Sequence, residues 1–250
     1  MQEIVAALAE QQDELAGLLT GLDDDRWARP SACEGWSVAD VVLHLAQTNE
    51  MAAASARGRL PAVMDELTEG LPPAQDVDDG ADKMVARDRH VGAAAIHARW
   101  RRSCTDLREA LLACQPGDRL LWMVGDLAAR TLGTTRLAET WIHTGDVAHG
   151  LGVVLEPADR LRHVARLAWR TIPYAFSREG LEPPGPVAFA LTAPSGAEWS
   201  FGEPGAPTVI RGLGIDLCRV ASRRVAPADT SLTAEGPDGD AVLSLVRTWA

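Results

Sequence analysis

The chain has 250 residues, 46% hydrophobic and 24% charged, a profile that excludes disordered and fibrous classes and allows one large domain or two small ones. A formal net charge of -11, from 35 acidic against 24 basic side chains, disfavours a diffuse hold on a phosphate backbone, so nucleic acid is not an expected partner. Cys33, Cys104, Cys114 and Cys218 form no CxxC pair and fit neither a zinc finger nor a secreted disulfide scaffold, which points to a reducing compartment.

The N-terminal stretch MQEIVAALAEQQDELAGLL carries acids and glutamines where a signal peptide needs a basic flank and a continuous apolar run. No segment approaches the roughly 18 uninterrupted apolar residues of a membrane span, so a cytoplasmic protein without membrane contact is expected. Ile4, Leu8, Leu15, Leu18 and Leu19 predict a first amphipathic helix that ends near Gly21. After a loop with Pro30 and Gly35, Ser37 and Asp40 form a capping box, with Trp36 and Val41 as a hydrophobic staple, and start a helix over Val38 to Arg57. Residues 60–82, rich in Pro, Gly and Asp, read as a long exposed connection able to cover a pocket. A third helix is expected over Met84 to Cys114 and a fourth over Leu127 to Leu151, closed by Gly150 and Gly152. Four such helices fit an antiparallel bundle over residues 1–155.

Beyond Pro157 the texture changes. A fifth helix over Ala158 to Phe176 precedes the linker EGLEPPGP and two short strands, PVAFALTAP and GAEWSFGEP, with a turn at Pro194-Ser195-Gly196. Helices over Ile210 to Arg223 and Gly239 to Trp249 flank an LTAEG segment, making residues 156–250 a small α/β domain. The expected class is α+β: an N-terminal four-helix bundle and a small C-terminal α/β domain.

Three residues carry the chemistry. His44, within VADVVLHLAQ, shares the apolar half of the second helix, while Glu139 and His143, four residues apart in RLAETWIHTGDVAHGL, lie on one face of the fourth. Such a pair is also a common surface interaction, and a lone histidine among apolar residues is a common core residue. A carboxylate buried beside two imidazoles costs several kcal/mol unless compensated, and a divalent cation compensates it. Ligands of the His/His/Glu type with one position left for water or substrate are the pattern of a catalytic zinc site. Asp146, three residues after His143, is placed to orient its ring or to accept a proton.

Two segments carry a family resemblance. SACEGWSVADVVLHLAQTNE resembles the GWSVxDxxxHL signature of the mycothiol-dependent maleylpyruvate isomerase N-terminal domain, a branch of the DinB/YfiT-like four-helix proteins, and RLAETWIHTGDVA resembles its E-x-W-x-H-x-x-D-V motif. The C-terminal part, from PVAFALTAPSGAEWSFG onward, is similar to an actinobacterial metal-binding subgroup. The resemblance implies a DinB-like bundle in which His44, Glu139 and His143 hold Zn2+ or another divalent metal, with mycothiol as cosubstrate for isomerisation or S-transfer on a small electrophilic metabolite. Where relatives carry a Trp-aromatic-Gly-Pro-Pro stretch, this chain has Leu121-Trp122-Met123-Val124-Gly125-Asp126, so the substrate does not carry over.

Trp122 and Trp141 are candidates to line a substrate pocket, and Trp36 a weaker one, set against the core role of most of the eight tryptophans. Arg136, three residues before Glu139, is placed to grip a carboxylate through its two-pronged guanidinium, though an exposed helix arginine reads the same way. Cys33 has no base near it in sequence and reads as a small packed thiol. Two other functions stay open. One is a thiol-independent metal-dependent cyclase, isomerase or hydrolase of secondary metabolism; the other is a metal-containing binding or stress-response module. Substrate and oligomeric state are not legible.

Overall fold

The computed structural model describes residues 1–123 and 125–248. The chain folds as two compact units, Met1–Leu155 and Glu156–Ala250. The architecture is α+β, and no helix among the described residues is long and apolar enough to cross a membrane.

In the first unit four long helices, α1 (Gln2–Leu19), α3 (Val38–Ala56), α6 (Ala93–Leu112) and α7 (Ala129–Leu151), form the bundle. Helix α3 packs against α6 and α7, and α1 packs against the same two, which closes a ring around one core. Apolar residues surround α3 on all sides, and almost every one of its side chains is buried, as expected of the central element. Its register is set at the N-terminus: Ser37 Oγ accepts from the Asp40 N–H at 3.2 Å, and the Asp40 carboxylate accepts from the Ser37 N–H at 2.9 Å. A short helix, α2 (Asp24–Trp27), capped by Asp23, lies in the connection before it.

Helix α7 buries an unusual amount of polar matter. Its Thr134, Thr140 and Thr144 hydroxyls donate to the carbonyls four residues back, at 2.8, 2.7 and 2.6 Å, and so are satisfied within the helix itself. Arg136 and Asp146 are also buried on this helix.

Two expectations for this unit need correction. The segment 60–82 is largely helical, as α4 (Leu60–Thr68) and the start of α5 (Val77–Asp88). The expected third helix is broken: α5 ends in a 3-10 turn over Arg89–Val91, and α6 starts afresh after Gly92, whose φ of +83° lies outside the helical region. A two-stranded hairpin, β1 (Arg119–Leu120) and β2 (Leu127–Ala128), leads into α7 and was not legible in the sequence.

In the second unit a mixed sheet of order β4-β3-β5-β6 is built from β3 (Val187–Thr192), β4 (Glu198–Phe201), β5 (Thr208–Leu213) and β6 (Thr233–Glu235). β3 pairs antiparallel with β4 and parallel with β5. The expected fifth helix is a 3-10 turn followed by α8 (Arg162–Arg170) and α9 (Ile172–Arg178), with Pro173 in the first turn of α9, where its missing N–H is not needed. The segment from Ile210 starts as the second half of β5 before α10 (Gly214–Ala221) begins, because Val209 and Ile210 fit a half-buried pleat. The last helix, α11 (Gly239–Leu245), is shorter than expected, and Trp249 lies outside the described residues.

Candidate metal centre

Helices α3 and α7 bring the three predicted ligands together. Glu139 Oε2 lies 3.5 Å from His143 Nε2 and 3.8 Å from His44 Nε2, and the donor atoms of all three residues fall within 4.8 Å of one another. The imidazoles meet edge to face with centroids 5.0 Å apart. The side chains of His44 and His143 are almost buried, at 11% and 12% exposure, while Glu139 keeps 21%, so the group is open to solvent on the carboxylate side.

These separations are too long for strong charge-assisted hydrogen bonds, which run at about 2.7–2.9 Å. They come closer to another arrangement. Donors about 2.0–2.2 Å from a tetrahedral cation stand about 3.3–3.6 Å apart, and two imidazoles with one carboxylate are a borderline-soft set suited to zinc. The 3.5 Å separation falls in that range and the 3.8 Å separation lies just beyond it, so the residues have the chemistry, and nearly the spacing, to hold a divalent metal.

A second layer holds His143 in place. Its Nδ1 lies 2.9 Å from Asp146 Oδ2, which leaves Nε2 facing Glu139 and His44. Asp146 in turn accepts from the Cys33 thiol at 3.1 Å, and that sulfur lies 3.7 Å from His143 Nδ1. Burial works against charge on His143, but Asp146, Cys33 and Glu139 outweigh it and raise its pKa well above the usual histidine value. Burial likewise opposes charge on Glu139, and His143, His44 and Arg136 overcome it, holding the carboxyl well below the ordinary range. For His44 burial wins and lowers the pKa. Burial thus favours the neutral ring, and its Nδ1 has no hydrogen-bond partner among the described residues.

The structure also brings to the centre two residues whose sequence context indicated only minor roles. Cys33 and Trp36 belong to the loop before α3, and Trp36 packs on His44 with centroids 5.0 Å apart. The loop is fixed by its own bonds, Ser31 N–H to Trp36 C=O at 2.9 Å and Trp36 N–H to Cys33 C=O at 3.1 Å. It is pinned to α7 through the Ala32 N–H, which donates to the Asp146 carbonyl at 3.2 Å. That approach needs Gly150, where a Cβ would stand 2.4 Å from the Pro30 carbonyl oxygen. No periodicity announces such contacts; the one available signal was the proximity of Cys33 to the cap of α3.

Arg136 is buried on α7, with its guanidinium 5.0 Å from the Trp122 ring centroid. Trp141 is only partly buried. Two residues from each of Glu139 and His143, it is turned roughly 200° around the helix from either, on the far side from the ligand pair.

Residues 8–148 match the model of the mycothiol maleylpyruvate isomerase N-terminal domain. The chain belongs to this family. Two uncharacterised proteins of Mycobacterium tuberculosis, from strains CDC 1551 and H37Rv, are each 35% identical to it over 254 residues, covering 98% of this chain and 95% of the relative. Among solved structures, the crystal structure of the mycothiol-dependent maleylpyruvate isomerase superposes with a TM-score of 0.61 at 18% identity, covering 95% of both chains. A histidine-to-alanine mutant of that enzyme superposes with a TM-score of 0.59. At this identity the likeness is one of fold. Within the family match lie Cys33, Trp36, His44, Trp122, Arg136, Glu139, His143 and Asp146.

Proposed function

We propose that this member of the maleylpyruvate isomerase family is a zinc-dependent enzyme that uses a low-molecular-weight thiol, mycothiol, to isomerise or transfer sulfur to a small electrophilic metabolite. That it is an enzyme of the isomerase or thiol-dependent kind follows from the family. The observation that carries the finer reading is the spacing of His44, Glu139 and His143, three donors from two helices at close to metal-site separations with an open side.

His44 and His143 would present Nε2, and Glu139 one carboxylate oxygen, to the cation. When bound there, a divalent cation supplies a Lewis acid that lowers the pKa of a thiol in the open position and so provides a nucleophile near neutral pH. Asp146 keeps the His143 Nδ1–H pointed at its own oxygen, which fixes the tautomer that frees Nε2. In isomerisation the sulfur adds to one carbon of an activated C=C, the remaining single bond rotates, and expulsion of the thiol restores the double bond with no net redox change. In S-transfer the sulfur displaces a leaving group instead. Trp36 walls the centre on the His44 side and limits water there.

Cobalt substitution followed by titration with mycothiol tests this reading. A sulfur-to-cobalt charge-transfer band that saturates at one equivalent is expected. A cobalt-loaded protein that shows no band would replace it with a thiol-independent metal enzyme.

A further inference from the structure

Arg136 lies within one turn of Glu139 on the same helix and is 94% buried, yet Nε and Nη1 of its guanidinium have no hydrogen-bond partner among the described residues. A buried cation without a hydrogen-bonded counter-charge is strongly unfavourable, and in native proteins such groups are few and are completed by a water, an ion or a ligand or serve a catalytic role. Burial lowers the pKa of Arg136 and Glu139 opposes this through space, while Nε and Nη1 stay unpaired. The guanidinium carbon lies over the Trp122 ring, 5.0 Å from its centroid, and that indole packs beside Met51, Leu60, Leu67 and Met84. A planar cation held against an aromatic wall, with in-plane N–H donors free, is the geometry that receives a planar anion edge-on.

We propose that Arg136 and Trp122 form an anion-binding subsite beside the metal centre, and that it takes a carboxylate of the substrate. This rests on the preceding reading for its placement next to the reacting centre, but not for the anion site itself. A carboxylate is favoured over a phosphate by shape, since its two coplanar oxygens lie in the plane of the guanidinium fork and accept from two of its N–H groups side by side. The subsite would fix one end of the substrate while its electrophilic carbon faces the open side of the donor set.

The test uses the full-length, zinc-loaded protein and its chelator-treated form, with maleate as the charged probe and dimethyl maleate as its neutral counterpart, followed by calorimetry and by quenching of tryptophan fluorescence. Maleate is expected to bind both forms, with dimethyl maleate at least tenfold weaker. R136Q should lose at least tenfold in maleate affinity in the metal-free form, where no cation competes for the carboxylate, and R136K should recover only part of it. Free of ligand, R136M should be at least as stable as the unmodified protein, because it removes an unpaired charge. Unchanged maleate affinity in folded R136Q overturns the proposal. So does a marked loss of stability in R136M, which would make Arg136 a structural counter-ion of Glu139. If R136Q weakens binding of N-acetylcysteine and spares maleate, the subsite serves the thiol and the assignment to the substrate falls. A protein that binds no zinc but retains Arg136-dependent maleate binding would remove the metal-enzyme reading and leave the subsite standing.

Discussion

Helix α3 carries two polar clusters within two turns of each other, and they are built on opposite rules. At Gln47 and Glu50, Arg99 grips the Glu50 carboxylate with two bonds of 2.8 and 2.7 Å and reaches Asp88 at 2.8 Å, while Arg87 and Gln47 complete Asp88 at 2.7 and 3.1 Å. Each ionised group there has an opposite charge at hydrogen-bond distance. At His44 the carboxylate of Glu139 stands 3.5 and 3.8 Å from its imidazoles, His44 Nδ1 is unpaired, and Arg136 nearby has two unpaired nitrogens. The first cluster closes on itself and ties α5 and α6 to α3. The second leaves its donors convergent and incomplete, which is how a chain presents a binding centre rather than a brace.

If this contrast is right, substitutions in the two clusters should fail in different ways. The largest effect is expected from His44→Ala and His143→Ala, each removing a ligand: zinc affinity should drop by more than a hundredfold by competition with a chromophoric chelator, while far-UV circular dichroism stays that of the folded bundle. Glu139→Gln should weaken zinc binding less severely. Asp146→Asn comes next, with an expected loss of about 10–100-fold in metal affinity, because the amide no longer fixes the His143 ring as the carboxylate does.

Asp88→Asn should do the reverse, costing about 2 kcal/mol of stability in urea unfolding at neutral pH with no change in zinc affinity. The Arg87 guanidinium, joined by Arg99 and Gln47, holds the Asp88 carboxyl far below the usual range. Its folded-state pKa is depressed, so the contribution is fully present above the unfolded value of about 3.9 and is lost as pH falls toward the lower folded value. The variant should therefore show a flatter decline of stability below about pH 4 than the unmodified chain. The smallest effect is expected from Cys33→Ala, which removes one thiol donor from Asp146 and should lower zinc affinity by a few-fold, about 1 kcal/mol at most.

Much of the centre was legible because helix geometry carried it. The capping box at Ser37 fixes the register of α3 and with it the side on which His44 emerges, and a four-residue step joins Glu139 to His143. Cys33 and Trp36 were underrated for a physical reason. They sit on a loop whose course is decided by the backbone bond from Ala32 to Asp146 and by the missing side chain at Gly150, contacts between residues more than a hundred positions apart. The bundle was legible for the same reason as the ligands, since its apolar stripes recur at helical spacing. The break at Gly92 was not, because the stripe continues on both sides of it, and the run from Ile210 is ambiguous in sequence because a short apolar stretch suits helix and strand equally well.

X-ray absorption at the zinc edge, on the protein before and after addition of mycothiol, tests the central claim most directly. One zinc per chain should show only nitrogen and oxygen neighbours, two of them with imidazole scattering, and mycothiol should add a single sulfur at about 2.3 Å. A first shell already closed by four protein ligands, or one that gains no sulfur from the thiol, would contradict the account.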